Sequence, residues 1–558
     1  MDISILITGQ AGQGIQTVEK VLADILAGEG YNIFATKEYM SRVRGGANST
    51  QIIISTERVR ACREKIDILL VLDENSVKRV SGRIENNTIV IGEFREEPGG
   101  IAERVGLTAI AKEIGNPVFA NTVASGILLS LLGIARHIPE EYVSRVFGRK
   151  GAEIVEKNMK ALEKGYENGE RILKKNTIAV ASPGRKKSGE IFVSGTESVG
   201  LGAIAGGCNF VASYPMSPST GVLTFLAGKQ KEYGIVVEQA EDEISAVNMV
   251  LGAWYAGARG MVTTAGGGFA LMEEGVSLAG MTETPIVIHI GQRPAPATGL
   301  PTRTEQADLN LALYAGHGEF PRIIYAPGKI EDAFFLTQKA FNLADRYQIP
   351  VFVLTDQYFL DSCYNLPDFT GERVNNERYV TETKSGYKRY AFTENGISPR
   401  GIPGFGEGFV RVDSDEHDED GYITEDMLTR KKMVEKRWRK LSLIEEENVA
   451  PEFCGNRDYE KLVIGWGSTY HAIREALDKV EDKKVGFLHF KQVYPLNQVI
   501  RDYLSKARKT VVVENNYRGQ FANLIRLETG YETKNRINKY DGLAFTVEDV
   551  AEEIARSL

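Results

Sequence analysis

Glu243 occupies a position where a carboxylate could share a proton with a bound ligand. In the segment VVEQAEDEISAVNMVLGAW, the helical row that starts at Glu243 continues through Val247 and Trp254, so this acid points along an apolar face. The corresponding row from Glu241 is polar. A carboxylate on an apolar face is desolvated and its pKa rises, which suits proton sharing with a neutral heterocycle. The favourable effect of negative charge at a helix start is the alternative explanation for these acids.

A second candidate is the turn FVASYPMSPST, from Phe210 to Thr220, which follows an apolar run. Each proline biases the residue before it toward extended backbone, so the turn should be stiff enough to hold a ligand. The alternative is a strand-to-helix turn in which Ser219 or Thr220 caps the next helix.

A third candidate is the segment IGQRPAPATGLPTRTEQADL, which carries Arg293 and Arg303 and is too rich in Gly and Pro for a simple helix. A guanidinium group in a loop after a buried strand suits a carboxylate substrate. The alternative is an arginine held by aliphatic contacts or paired with Glu305 or Asp308.

The amino-terminal GQAGQG supplies Gly9, Gly12 and Gly14 between the strand ILIT and a helix. Such glycines let a phosphate approach the backbone amides at a helix amino terminus. Glu38 follows at about the distance of a ribose-binding acid, but the spacing is GxxGxG rather than GxGxxG. A tight structural turn is an equally good explanation.

Two further sets of residues complete the candidates. SRVRGGAN presents Arg42 and Arg44 before two glycines, as an anion site or as a charged surface loop. No histidine or cysteine has metal-ligand spacing, so we expect no metal site in this chain, and the absence of CxxC argues against a local iron–sulfur motif. We interpret His289 and His489 as core or interface residues. His417, in DEHDEDG, fits a solvated acidic loop better than the alternative, a cation site formed with its neighbouring acids.

These candidates lie within an alternation of strand and helix patterns over residues 1–175, 192–365 and 450–558. The alternation predicts an α/β fold with three parallel-sheet domains. A basic linker with Gly and Pro over 176–191 separates the first two domains. An irregular connection over 366–449, docked on other parts of the chain, separates the last two.

The length and charge of the chain limit its function. The 558 residues are enough for roughly three or four domains. The net charge of -8 argues against nucleic-acid binding, which depends on clustered Lys and Arg. No apolar run approaches the roughly 18 residues of a membrane span, and the amino terminus lacks the basic segment of a secretory signal. We therefore expect a cytoplasmic protein that binds neither nucleic acid nor membrane.

Together these segments resemble the alpha subunit of 2-oxoacid:ferredoxin oxidoreductases of the 2-oxoglutarate type, which use thiamine diphosphate. The resemblance rests on NFVASYPMSPST, on the run from EDEISAV through TTAGGG to PTRTEQADL, and on TENGISPRGIPG and DEHDEDG. The part with GQAGQG and SRVRGG resembles a gamma domain fused ahead of the alpha portion. KTVVVENNYRGQ resembles the transketolase-like carboxy-terminal domain, and the middle domain resembles the pyrimidine-binding one.

The resemblance implies roles for the substrate-binding residues. Ser217 stands where the family turn YPITP has threonine, and with Tyr214 and Pro218 it would hold the 2-oxoacid. Ser217 keeps the hydroxyl and loses the methyl group. Either Arg293 or Arg303 would bind the substrate carboxylate.

The resemblance also implies how the cofactor would be held. Glu243 would hydrogen-bond N1′ of the aminopyrimidine and favour the tautomer that removes the C2 proton of the thiazolium. Gly266 and Gly267 would contact the cofactor, although TTAGGG replaces the usual TSGPG of the family. This departure predicts an altered pocket shape.

The implied reaction is oxidative decarboxylation of a 2-oxoacid, most simply 2-oxoglutarate, with coenzyme A to acyl-CoA, carbon dioxide and reduced ferredoxin. The family signatures for Mg²⁺ and for a [4Fe–4S] cluster belong to a beta subunit and are not found in this sequence. We therefore expect activity only with a beta partner, in an (αβ)₂ heterotetramer. Coenzyme A or another anion would meet the glycines of GQAGQG together with Arg42 and Arg44.

Two other functions are consistent with the same sequence. An NAD-dependent dehydrogenase would use GQAGQG without a partner. A non-catalytic scaffold or regulatory relative would assemble with a beta-like chain yet turn over no oxoacid.

Overall fold

The computed structural model describes residues 2–40, 46–178, 180–183, 189–369 and 375–558. The chain forms two compact units, one made of residues 1–193, 362–368 and 546–548, the other of 194–361, 369–545 and 549–558. The predicted linker over 176–191 lies partly outside the described residues. The boundaries of the three predicted domains therefore stay predictions.

The strands are, in chain order, β1 (Ile3–Gln10), β2 (Asn32–Glu38), β3 (Ala47–Ser55), β4 (Ile68–Val71), β5 (Ile89–Gly92), β6 (Ile101–Arg104), β7 (Glu190–Ser194), β8 (Phe210–Ser213), β9 (Val236–Gln239), β10 (Gly260–Thr264), β11 (Ile286–Gln292), β12 (Ile323–Tyr325), β13 (Pro350–Asp356), β14 (Cys363–Pro367), β15 (Glu452–Gly455), β16 (Lys461–Trp466), β17 (Val485–Phe490), β18 (Gln492–Tyr494), β19 (Lys509–Glu514) and β20 (Asn535–Asn538).

The α-helices are, in chain order, α1 (Ile15–Gly28), α2 (Glu74–Val80), α3 (Leu107–Ile114), α4 (Ala120–Leu131), α5 (His137–Phe147), α6 (Ala152–Leu173), α7 (Gly195–Ala205), α8 (Thr220–Tyr233), α9 (Glu243–Tyr255), α10 (Gly266–Phe269), α11 (Glu273–Met281), α12 (Leu309–Tyr314), α13 (Ile330–Tyr347), α14 (Gln357–Asp361), α15 (Met427–Glu446), α16 (Tyr470–Lys479), α17 (Ile500–Lys506), α18 (Gln520–Thr529) and α19 (Val547–Ser557). Within the described part of the chain, none of them combines the length and apolarity needed to cross a bilayer.

The first unit is built on an eight-stranded sheet in the order β6-β5-β4-β1-β3-β2-β14-β7. The pairs from β6 to β1 are parallel, whereas β3 runs antiparallel to both β1 and β2. Successive side chains of a strand point to opposite faces. Ile5 and Ile7 accordingly pack with residues of α1, α4 and α6, and Leu6 packs with Val77 and Val80 of α2. Both faces of the sheet are therefore buried.

The second unit contains two sheets, in the orders β18-β12-β13-β11-β10-β8-β9 and β15-β17-β16-β19-β20. All pairs are parallel except β12 with β18 and β15 with β17. The predicted α/β class with three mainly parallel sheets is confirmed. The carboxyl ends of β8, β10 and β11 lead into the candidate site.

Residues 375–426 belong to the second unit, contain little regular structure and pack on the rest of that unit through buried charges. Asp345 lies between two arginines, with Arg259 Nε 3.5 Å from its Oδ2 and Arg400 paired with its Oδ1. Arg400 also donates to the Trp254 carbonyl at 3.2 Å, and Arg259 donates to the Glu377 carbonyl at 3.0 Å. These contacts confirm the predicted docking of this segment.

The prediction of an irregular connection over 366–449 is wrong for its last part, which forms α15. Buried side chains recur there at helical spacing, at Met433, Lys436 and Lys440. Two of these three are lysines, so the apolar periodicity of the helix is hidden in the sequence. Both lysines pair with the fully buried Glu283.

The interpretation of His417 as part of a solvated loop is also wrong. Its side chain is buried, its ring centroid lies 3.8 Å from that of Tyr390, and Nδ1 is 3.0 Å from the Asp415 carbonyl oxygen. The acidic run folds inward because Glu416 pairs with Arg437 of α15. Among the described residues, no three His, Cys, Asp or Glu side chains are grouped as metal ligands.

Candidate active site

The turn after β8 is held by an arginine from the loop after β11. Arg293 Nη1 donates to the Ser217 carbonyl oxygen at 2.7 Å, and Arg293 is only 8% exposed. Tyr214 is 39% exposed, Ser217 is half-buried and Pro218 is buried. The structure therefore brings together Ser217 and Arg293, which lie far apart in the sequence.

Helix α8 is not capped as the sequence suggests. Ser219 lies at the residue before α8, but its hydroxyl donates to the Met216 carbonyl oxygen at 2.7 Å and makes no cap hydrogen bond. The hydroxyl closes the turn because the Met216 carbonyl lies within its reach. It therefore helps to fix the backbone that presents Ser217.

Glu243 is the first residue of α9, and its side chain is 3% exposed. Val247 and Trp254 on the same face are buried as well, whereas Glu241 is exposed, which confirms the predicted helical face. Burial raises the pKa of the Glu243 carboxyl, and the charge of Asp242 adds to the effect. Its Oε1 is buried and has no hydrogen-bond partner in the described structure.

The glycine run after β10, Gly266 to Gly268, leaves space for two carboxyl groups. A Cβ at Gly268 would lie 2.4 Å from Glu243 Oε1, and a Cβ at Gly266 would lie 2.2 Å from Asp308 Oδ1. Gly267 is exposed, and the nearest atom to a Cβ there would be the Ala297 carbonyl oxygen at 3.6 Å. Steric contacts thus explain two glycines of TTAGGG, because a larger residue at Gly266 would displace Asp308 and one at Gly268 would displace Glu243.

Asp308 is the residue of this site that the sequence did not single out. It appeared there only as a salt-bridge partner for an arginine. In the structure it is 5% exposed, and its Oδ2 is buried without a described partner. Its one signal in the sequence is its position at the end of the arginine-containing loop.

Arg303 lies further along the same loop than Arg293. It is half-buried, and its aliphatic stem lies beside Gly542, where an added Cβ would be 3.3 Å from Arg303 Cβ. The structure therefore connects Arg293 directly to the turn and places Arg303 next to the carboxy-terminal region. The assignment of the carboxylate to one of them stays open.

The two strand histidines are core residues, as predicted. His289 is fully buried between Thr263 and Thr355, with Nδ1 2.7 Å and Nε2 2.8 Å from their hydroxyl oxygens. Burial lowers the pKa of His289 to about 3, so it stays neutral. His489 is buried too, with Nε2 2.9 Å from the Gly467 carbonyl oxygen.

In the first unit, GQAGQG joins β1 to α1. Gly12 (φ 89°) and Gly14 (φ 82°) adopt the left-handed backbone that favours glycine. A Cβ at Gly14 would lie 1.9 Å from Asn121 Nδ2, and one at Gly9 would lie 2.6 Å from Gln13 Oε1. Folding alone explains the three glycines, so their contact with an anion stays a prediction.

Glu38 does not have the surroundings of a ribose-binding acid. In a dinucleotide-binding domain the strands before and after the first helix are parallel neighbours. Here β3 lies between β1 and β2 and runs antiparallel to both. The Glu38 carboxylate pairs with Arg79, Oε2 to Nη2, at 3.1 Å.

A cavity of about 590 Å³ lies at the carboxyl ends of β4, β5 and β6, with side chains of both signs around it. Its lining includes Gln13, Asp73, Glu93, Arg95 and Arg104. Arg42 and Arg44, the predicted anion-binding pair, lie outside the described residues.

Two family models match the chain over most of its length. The model described as pyruvate ferredoxin/flavodoxin oxidoreductase matches residues 4–168. The model described as pyruvate flavodoxin/ferredoxin oxidoreductase, thiamine diphosphate-binding, matches residues 201–436. The second range includes the turn after β8, Glu243, the glycine run and both arginines.

The similar proteins described next cover between 65% and 100% of this chain. The 2-oxoacid:ferredoxin oxidoreductase subunit alpha of a Sulfolobus species is 30% identical, covering 100% of this chain and 97% of its own length. The 2-oxoglutarate synthase subunit KorA of Methanothermobacter marburgensis is 31% identical over 65% of this chain and 98% of its own. A solved structure of 2-oxoglutarate:ferredoxin oxidoreductase from Magnetococcus marinus, with 2-oxoglutarate, coenzyme A and succinyl-CoA bound, is 31% identical. It has a TM-score of 0.93 and covers 100% of this chain and 99% of its own.

Proposed function

Since this chain belongs to the 2-oxoacid:ferredoxin oxidoreductase family, in the place of its alpha subunit, we propose that it serves in the oxidative decarboxylation of a 2-oxoacid. Coenzyme A would accept the acyl group and ferredoxin the electrons. The observation that carries this proposal is the buried Glu243 carboxyl, whose Oε1 has no described partner. A buried polar atom of this kind is costly unless a ligand completes it.

The surroundings of Glu243 fit thiamine diphosphate, which when bound supplies the nucleophilic carbon that attacks the 2-oxo group. Glu243 Oε1 would accept a hydrogen bond from the protonated N1′ atom of the aminopyrimidine. Because burial raises its pKa, the carboxyl can share that proton. Gly266 and Gly267 would line the same cofactor.

We assign the 2-oxoacid to the turn of Tyr214, Ser217 and Pro218. The Ser217 hydroxyl would hydrogen-bond the substrate, and Arg293 or Arg303 would pair with its carboxylate. The proposed substrate is 2-oxoglutarate, which is supported by the names of the KorA relatives and by the ligands of the similar solved structure.

We further propose that a beta subunit completes the enzyme by holding Mg²⁺, the diphosphate and a [4Fe–4S] cluster, in an (αβ)₂ heterotetramer. Coenzyme A would contact the first unit near Gly9, Gly12 and Gly14, together with Arg42 and Arg44. A cytoplasmic location is supported by four cysteines without disulfide bonds. The strand order around Glu38 gives no support to an NAD-dependent dehydrogenase.

Ser217→Ala is expected to weaken substrate binding by about 0.5–1.5 kcal/mol, the usual value of one neutral hydrogen bond. The turn itself should persist, because Arg293 binds the carbonyl of residue 217 rather than its side chain. The measurement is KM for 2-oxoglutarate in the complex with the beta partner. An unchanged KM would remove Ser217 from the substrate site.

The isolated chain is expected to be colourless and inactive with every 2-oxoacid, and to gain ferredoxin reduction when mixed with its beta partner. Cys62 and Cys363 belong to the first unit and Cys208 and Cys454 to the second, and the first three are buried. Iron analysis and assays with 2-oxoglutarate and pyruvate test this expectation. About four irons per isolated chain would contradict it, and a reconstituted complex without turnover would refute the proposed function.

A further inference from the structure

Asp308 presents a second buried carboxyl on the glycine run, against Gly266, whereas that of Glu243 lies against Gly268. Its Oδ2 has no hydrogen-bond partner in the described structure, and both of its oxygens lie against Gly266. Its backbone is fixed, since its amide donates to Gln292 Oε1 at 3.0 Å. The Glu243 carboxyl is explained by a cofactor, whereas nothing in the proposed function explains that of Asp308.

Two charged groups face Asp308, and both come from its own loop. Arg293 attracts a carboxylate at this position, although the two residues form no salt bridge in the described part of the chain, whereas the half-buried Glu305 repels a carboxylate there. Burial raises the pKa of Asp308 to about 7, and the charge of Glu305 contributes a smaller part of this increase. Burial also raises the pKa of Glu305 to about 7. The glycine run packed against Asp308 contributes no charge.

The Arg293 guanidinium could pair with either of two carboxylates, that of Asp308 or that of the substrate. One of its nitrogens donates to the Ser217 carbonyl, which directs the guanidinium toward the substrate turn. Arg293 as a whole residue is 8% exposed, and the one hydrogen bond described for its guanidinium is the one to Ser217. An ionised Asp308 and a substrate carboxylate would both be favourable partners for it.

We infer that Asp308 is a positioning residue that acts through Arg293. In its protonated form it leaves the guanidinium available to the substrate carboxylate, and in its ionised form it competes for that guanidinium. This inference rests on the proposed function, with Arg293 as the arginine that binds the substrate carboxylate. It extends that function, because substrate binding above neutral pH then takes up one proton at Asp308.

The first test measures kcat and KM for 2-oxoglutarate in the complex with the beta partner across the pH range. One linked proton gives a tenfold rise of KM for each pH unit above the pKa, so we expect an increase of at least about tenfold between about pH 6.5 and pH 8.5. In Asp308→Asn, which mimics the protonated acid, KM should change less than about twofold over this range. kcat should have the same pH profile in both proteins.

Glu305→Gln separates the two acids of the loop. We expect it to keep the rise of KM with pH. If the rise disappears in Glu305→Gln and persists in Asp308→Asn, the inference is wrong. A KM that is flat in the wild-type complex overturns it as well.

The second test needs no activity and uses the isolated chain. A carboxyl whose pKa is raised in the folded state loses its stabilising effect as pH rises from the unfolded value, about 3.9, to the folded one. The Tm of the wild-type chain should therefore fall relative to that of Asp308→Asn up to about pH 7 and stay parallel above it. A constant Tm difference would mean that Asp308 is ionised throughout, and would overturn the inference.

The two tests distinguish this inference from the proposed function. If the wild-type and Asp308→Asn complexes both turn over 2-oxoglutarate and show the same pH dependence of KM, only the competition at Arg293 is refuted. A complex without any turnover refutes the proposed function and the competition with it, while the Tm difference still reports the proton on Asp308.

Discussion

Glu243→Gln is expected to slow exchange of the C2 proton of bound thiamine diphosphate by about 10²–10⁴-fold, the usual contribution of a positioned acid–base group. Glutamine keeps the volume of the side chain and can still hydrogen-bond, but it cannot share a proton with the aminopyrimidine. Assembly with the beta partner should be unchanged, since the substitution removes a charge from a buried position. The measurement is quenched-flow NMR of the C2 proton in variant and parent complexes.

Two further variants accompany this one. Glu241→Gln is the control, because it changes an exposed acid two residues earlier and should leave the exchange rate as it is. Gly268→Ala should slow exchange, because its Cβ would lie 2.4 Å from Glu243 Oε1. Near-equal exchange rates in Glu243→Gln and the parent would reduce Glu243 to an acid at a helix start.

Removal of the arginine that binds the substrate carboxylate is expected to cost about 1.5–3 kcal/mol of binding, since the lost hydrogen bonds are charge-assisted. Arg293→Ala and Arg303→Ala are the two variants. Arg293→Ala should also loosen the turn and raise KM in that way, because it removes the donor to the Ser217 carbonyl. The residue that binds the carboxylate is therefore identified when only one of the two variants raises KM.

The arginine prediction is tested by kcat and KM for 2-oxoglutarate in the reconstituted complex. Arg474→Ala is a suitable control, because Arg474 is half-exposed and pairs with Asp478 on the same helix at 2.8 Å. A pair on the surface contributes little. Wild-type kinetics in both Arg293→Ala and Arg303→Ala would show that neither residue binds the carboxylate.

The central strands of the second unit could be predicted because they are buried on both faces. GMVTT and IVIHIGQ form β10 and β11, and a continuous apolar run is typical of such strands. Strands β6 and β12 were not predicted, since two of the four residues of β6 (IAER) are charged and β12 (IIY) is only three residues long. The position of β3 between β1 and β2 could not be predicted either. The order of strands in a sheet depends on contacts between distant segments, whereas periodicity describes only the local sequence.

Part of the candidate site followed from local geometry, and part did not. The burial of Glu243 could be predicted because residues four apart share a helical face. The space that Gly268 leaves for Glu243, and Gly266 for Asp308, depends on how α9 and the loop before α12 pack against the end of β10. The orphaned oxygen of Asp308 emerges only when its surroundings are assembled in three dimensions.

The contact of Glu283 with Lys436 and Lys440 couples positions that are 153 and 157 residues apart in the chain. Although burial alone would raise the pKa of Glu283, the two lysines hold it below its usual range. Replacing Glu283 alone would bury two ammonium groups without a counter-charge, and breaking a buried pair in this way costs about 3–5 kcal/mol. During divergence of the sequence these three positions are therefore not independent, and an apolar residue can be accommodated at one of them only when the others change with it.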